Sequence, residues 1–114
     1  MKKAEHRERK KRIMLNQTVL VGRLTHDPEV KELEDGRKVC YITLTVPRSF
    51  KNADGEYETD FIPCTLYQGV AENTAKYCRE SELIGVKGRV QCTNEKIEII
   101  ADKVTFLSTE RKED

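Results

Sequence analysis

Asp60-Phe61-Ile62-Pro63-Cys64-Thr65-Leu66-Tyr67 places two aromatic rings where a half-buried strand is normally polar. Read with a period of two, Ile62, Cys64 and Leu66 form a small apolar face. Phe61, Pro63, Thr65 and Tyr67 form the opposite one. Every nucleobase offers a π-face, and stacking on an aromatic ring is worth roughly 1–3 kcal/mol per base. Rings held toward solvent on a sheet therefore suit unstacked bases. They also suit a site beneath a loop or an oligomer interface, and this strand alone leaves those alternatives open.

Other chemistry is sparse. The four cysteines, Cys40, Cys64, Cys78 and Cys92, contain no closely spaced pair of the kind a zinc site wants. Cys40 and Cys64 fall on apolar strand faces and Cys78 on the apolar side of a helix, so reduced core thiols are expected, with no metal or disulfide. His6 and His26 read as solvated. No nucleophile–base constellation, carboxylate pair or phosphate loop is apparent, which argues against an enzyme, and no cofactor is expected.

The chain has 114 residues, 36% of them charged and 37% hydrophobic, which fits one domain with a small core. Its formal net charge of +1 conceals an asymmetry. Residues 1–13 hold seven Lys/Arg against Glu5 and Glu8; the rest holds 14 against 18 Asp/Glu, a net of −4. A nucleic-acid binder with an acidic body must gather its cations locally, because phosphate neutralisation drives affinity. No apolar run approaches the roughly 20 residues of a membrane span, and no signal-peptide core follows the basic start. A soluble, cytoplasmic protein is expected.

The elements that would position the rings follow from periodicity and turn residues. Residues 1–13 read as a basic, flexible arm. Asn16 to Leu24 is a first strand, ended by His26-Asp27-Pro28, and Asp35-Gly36 marks a tight turn. A second strand, Val39 to Val46, turns Cys40, Ile42, Leu44 and Val46 inward and Tyr41, Thr43 and Thr45 outward. Pro47 is expected to end its pairing, and residues 48–57 to form a polar hairpin loop. The third strand runs from about Glu58 to Tyr67. Gly69 to about Arg79 reads as a helix, with Val70, Ala71, Thr74, Ala75, Tyr77 and Cys78 on one stripe. Leu83 to Val90, interrupted by Gly85 and Gly88, is a fourth strand. Thr93-Asn94-Glu95 turns into a fifth, Lys96 to Leu107, and a charged tail covers 109–114. The expected fold is all-β: a five-stranded Greek-key barrel of OB-fold type over residues 14–108, with the helix between strands three and four. That fold binds oligonucleotides across strands two and three.

The chain resembles the bacterial single-stranded DNA-binding protein family. The resemblance rests on Met14-Leu15-Asn16, Val19-Leu20-Val21-Gly22-Arg23-Leu24, Asp27-Pro28-Glu29-Val30, Ile42-Thr43-Leu44-Thr45-Val46, Arg48-Ser49-Phe50, Asp60-Phe61-Ile62 with Cys64, Ala71-Glu72-Asn73 and Gly88-Arg89-Val90. It implies an OB-fold, usually a homotetramer, that coats single-stranded DNA in replication, recombination and repair. It further implies stacking roles for Phe50, Phe61 and Tyr67, with Tyr41 beside them on the second strand. Arg23, Arg48 and Lys51, and more weakly Lys87 and Arg89, are the phosphate candidates.

Departures from the family pattern bear on affinity and site size. The chain has no tryptophan. The turn after strand four is cut to Thr93-Asn94-Glu95, and Glu80-Ser81-Glu82 stands where Lys-Gly-Ser is typical. The long linker and acidic tip are missing, so tail-mediated recruitment of repair proteins is not expected. Residues 1–13 either add phosphate contacts or precede a translation start at Met14. The acidic body and short turn also fit an oligomeric adaptor resembling primosomal replication protein N, acting mainly through protein contacts.

Overall fold

The structure, a computed structural model, describes residues 14–108. The basic arm with His6, and the tail at 109–114, lie outside the described residues. The described elements are β1 (Thr18–Leu24), β2 (Val30–Glu32), β3 (Lys38–Lys51), β4 (Tyr57–Tyr67), α1 (Gln68–Tyr77), β5 (Leu83–Thr93) and β6 (Lys96–Phe106).

The strands form a closed ring. β1 pairs with β5 from Thr18↔Gly88 to Arg23↔Leu83, β5 with β6, and β6 runs parallel to β4 at Cys64↔Ile99 and Thr65↔Ile100. β4 pairs antiparallel with β3. The end of β1 then leaves β5 and closes onto β3 through Arg23↔Thr45 and Leu24↔Leu44. Closure needs β1 to pass very near β3, and Gly22 allows it: a Cβ there would lie 2.6 Å from the Thr45 carbonyl oxygen. Five strands closed in this order, with α1 between β4 and β5, are the OB-fold.

Alternation along the strands fills the barrel. Cys40, Ile42 and Leu44 of β3, Cys64 and Leu66 of β4, Ile84 and Val86 of β5, and Ile99 and Ala101 of β6 are buried together with Leu24. Each fully buried Leu, Ile or Val side chain contributes roughly 1.5–3 kcal/mol. Helix α1 packs against β3, β4 and β6 and buries Ala71 and Thr74. It stops where Cys78 turns extended at φ −120°, two residues short of the expected Arg79. No helix of the described residues is long and apolar enough to cross a membrane.

Three expectations need correction. Pro47 does not end the pairing of its strand. It sits opposite Thr59, and β3 continues to Lys51 opposite Tyr57, with an irregularity between Pro47 and Lys51. Four steps on β3 there match two on β4, so the ladder absorbs a residue that lacks an N–H donor. The hairpin loop is accordingly only Asn52–Glu56 rather than 48–57. Its tip is organised by Asn52, whose Oδ1 accepts the N–H groups of Asp54 and Glu56 at 2.9 and 3.0 Å. Second, the short strand β2, all exposed, pairs with β3 at Val30↔Cys40. Third, Cys92 lies exposed on β5 and is not a core thiol, whereas Cys40, Cys64 and Cys78 are buried; all four are free.

Candidate nucleic-acid interface

The outer face of β3 and β4 is an aromatic row. On β4, Tyr57, Thr59, Phe61 and Pro63 are exposed in period two, and Tyr67 closes the row half-buried. Ten steps of about 3.3 Å from Tyr57 to Tyr67 make it about 33 Å long. β3 lies alongside in register, with Tyr41 opposite Thr65, Thr43 opposite Pro63, Thr45 opposite Phe61 and Lys51 opposite Tyr57. Phe61 is 65% exposed, Tyr57 58% and Tyr41 52%. Phe50 is 65% exposed within the irregular stretch of β3.

Thr65 has the parity of this outer face yet is buried. Its hydroxyl donates to Glu98 Oε1, and Thr93 donates to Glu98 Oε2 at 2.9 Å, so the β5–β6 hairpin folds over the strand at this point. Between the hairpin and the sheet lies an open cleft of about 360 Å³, walled by Tyr41, Pro63 and Tyr67 on one side and Gln91, Thr93, Lys96, Ile97 and Glu98 on the other. The hairpin turn is the two-residue Asn94-Glu95, both at positive φ (53° and 67°), which matches the twist of a tight hairpin.

The phosphate candidates are placed unequally. Lys51 Nζ sits 5.7 Å from the Tyr57 ring centroid, a cation on the aromatic row itself. Arg23 is exposed at the edge of a hollow it shares with Thr45, Pro47 and Thr59, and its Nη1 donates to the Ser81 carbonyl at 3.0 Å. Arg48 is committed to carboxylates: Nη2 to Asp60 at 2.9 Å and Nη1 to Glu58 at 2.8 Å. The hydrogen bonds to Asp60, then the charges of Asp60 and Glu58, hold the Arg48 proton more tightly than usual. Bonding from Arg48 holds the Asp60 carboxyl below its usual range. Lys87 and Arg89 line neither the aromatic row nor the cleft beside it. They lie exposed on β5, further along the outward side that carries Gln91 and Thr93 into the cleft wall, and Arg89 pairs with Asp102 at 3.0 Å. Among the described residues no group of three or more His, Cys, Asp or Glu could hold a metal ion.

Two residues of this surface escape the sequence. Tyr57 was hidden by the expected loop, although counting back in twos from Phe61 reaches it. Arg37 gave no signal at all in a charged turn, yet its Cζ stands 5.0 Å from the Tyr67 ring centroid.

A closed five-stranded OB-fold barrel carrying aromatics across the strands that this fold uses for ligands defines a class of small binding module. Within it, the chain belongs to the Single-strand binding protein family, which matches residues 15–107. It is 46% identical over 109 residues to single-stranded DNA-binding protein B of Bacillus subtilis (strain 168), covering 88% of this chain and 96% of that protein. Single-stranded DNA-binding protein 1 of Staphylococcus aureus (strain MSSA476) is 42% identical over 110 residues, covering 89% of this chain and 70% of that one. The crystal structure of wild-type single-stranded DNA binding protein from Thermus aquaticus has the same fold, with a TM-score of 0.68 at 23% identity over 88% of this chain and 44% of that one.

Proposed function

We propose that this protein binds single-stranded DNA with little sequence preference, serving replication, recombination and repair, and that it is a binding protein and not an enzyme. The observation that carries the reading is the exposed aromatic row on β3 and β4 in a chain of this family. Bases stack on Phe61, Tyr67, Tyr41 and Phe50, and Tyr57 extends the series. Lys51 and Arg23 meet phosphates beside the row. Arg48 meets them only as it loosens from its carboxylates, and Lys87 and Arg89 hold a strand that wraps onward past β6. The protein assembles as a homo-oligomer, a tetramer by resemblance. Val19 and Val21, 69% and 47% exposed on β1, support self-association.

The test is a titration of a fluorescent oligo-dT of roughly 35 nucleotides at two salt concentrations, with equal-length duplex as competitor. Salt-sensitive binding that duplex does not displace is expected. Weak binding, or equal preference for duplex, would favour a second reading as an oligomeric adaptor in replication restart. One observation leans that way: residues 14–108 carry 12 Lys/Arg against 15 Asp/Glu, and Arg48 and Arg89 are both paired with acids.

A further inference from the structure

Arg37 is held in an unusual way. It closes the turn between β2 and β3, where Leu33 N–H donates to the Arg37 carbonyl at 2.8 Å and Gly36 takes φ +91°. Asp35 grips the residue twice: Oδ1 accepts its backbone N–H at 3.0 Å and Oδ2 accepts Nε–H at 2.9 Å. The backbone N–H of Arg37, first among several contributions, holds the Asp35 carboxyl below its usual range, so the anion is present at neutral pH. The guanidinium is then laid over Tyr67, Cζ 5.0 Å from the ring centroid. The turn is tied to the same place, since Lys38 N–H donates to the side chain of Gln68, the neighbour of Tyr67.

Asp35 takes only the Nε edge. Neither Nη group of Arg37 makes a hydrogen bond among the described residues, and the ion pair with Asp35 is made through Nε. Arg48, by contrast, gives Nε, Nη1 and Nη2 to carboxylates. Arg89 gives Nη1 to Asp102, and Arg23 gives Nη1 to a carbonyl. A guanidinium fork fits phosphate oxygens through two parallel N–H donors, which requires the Nη edge to be available. Arg37 also leaves the cleft open: Tyr67 lines it and Arg37 does not.

We infer that Arg37, seated on Tyr67 and braced by Asp35, is a phosphate-contacting residue of the single-strand interface, binding the nucleotide whose base occupies the Tyr67 end of the row. The inference rests on the proposed single-strand function. Arrangement favours Arg37 over Arg48 for this role, because no ion pair has to open before its Nη edge meets an anion.

The oligo-dT titration, repeated over a series of salt concentrations on the full chain, tests it with Arg37→Ala and Arg37→Lys. Arg37→Ala is expected to weaken binding several-fold at low salt and to reduce the slope of log K against log salt by about 0.7 for the lost phosphate contact. Arg37→Lys keeps the charge and loses the planar fork, so it should keep the slope while losing part of the affinity. The residue lies in an exposed turn away from the core, and thermal melting checks that both variants fold. A folded Arg37→Ala whose affinity and slope match the parent overturns the inference alone. So does one that binds more tightly, which would make Arg37 a plug on the ring. A loss equal at all salt concentrations overturns it too, as the mark of a merely structural role. A parent protein that does not bind the oligonucleotide overturns the functional reading and takes this inference with it.

Discussion

Arg48 and Asp60 face each other across the β3–β4 ladder, the guanidinium donating Nη2–H to Oδ1 at 2.9 Å and Nε–H to Oδ2 at 3.1 Å. Because Nη1 also reaches Glu58, one cation answers two anions and the patch nets −1 beside the aromatic row. Asp60→Asn removes that excess and frees half of the guanidinium. It is expected to tighten oligo-dT binding a few-fold at low salt, the gain fading as added ions screen the site. Arg48→Ala, which leaves two exposed carboxylates facing the strand, should weaken binding. Equal affinities for parent and Asp60→Asn would show that no phosphate approaches Arg48.

Tyr57 extends the exposed aromatic row beyond Phe61. Truncation to Ala should weaken oligo-dT binding by about 1–3 kcal/mol if a base rests on it. The pair Phe61→Ala and Tyr67→Ala together should cost more than about 2 kcal/mol. Isothermal titration of folded variants measures both. A Tyr57→Ala protein with parental affinity would end the stacking row at Phe61.

Gly88 is packed against backbone, where nothing can yield cheaply. An added Cβ would lie 2.0 Å from the Ile100 carbonyl oxygen, at the point where the β5–β6 register shifts. Overpacking a close-fitted interior typically costs about 1–3 kcal/mol. Gly88→Ala should therefore lower the unfolding free energy, read from urea melts, by an amount at or above that range. Gly69→Ala serves as control, since nothing lies within 4 Å of a Cβ there.

Burial, followed by the nearby Glu98 charge, pushes the Cys64 thiol up to about 12 from an ordinary 9.0. The folded protein thus keeps a proton that the unfolded chain has lost. This contribution is complete below about pH 9 and is lost as pH rises toward 12, with stability falling by about 1.4 kcal/mol per unit between them. Urea midpoints compared at pH 8 and pH 10 should fall further in the parent than in Cys64→Ala. Identical falls in the two proteins would show that Cys64 ionises as readily folded as unfolded.

The barrel strands were legible because Cys40, Ile42 and Leu44 alternate with Tyr41, Thr43 and Thr45, and Ile62, Cys64 and Leu66 alternate with the rings. One inward face of that kind fixes strand, register and outward residues together. Legibility failed wherever the deciding partner was distant in sequence. Pro47 reads locally as a strand end, and only its seat beside an irregularity opposite Thr59 keeps it in the ladder. Val30-Lys31-Glu32 has no buried member to announce a strand. The pairing of Arg48 was hidden because neither Glu58 nor Asp60 is visibly its neighbour at separations of 10 and 12 residues. Arg37 finds Tyr67 across 30 residues, a meeting made by the barrel alone.

The two-residue turn at Asn94-Glu95 leaves almost no slack in the wall above the cleft. The Thr65–Glu98–Thr93 bonds fasten that wall to β4. On the proposed reading, a strand that settles there meets a finished channel rather than a loop that must first be ordered. The adjustment to purine or pyrimidine then falls to the nucleic acid, whose sugar–phosphate chain is the softer of the two bodies. Tolerance of sequence, on this view, is a property lent by the guest to a stiff host.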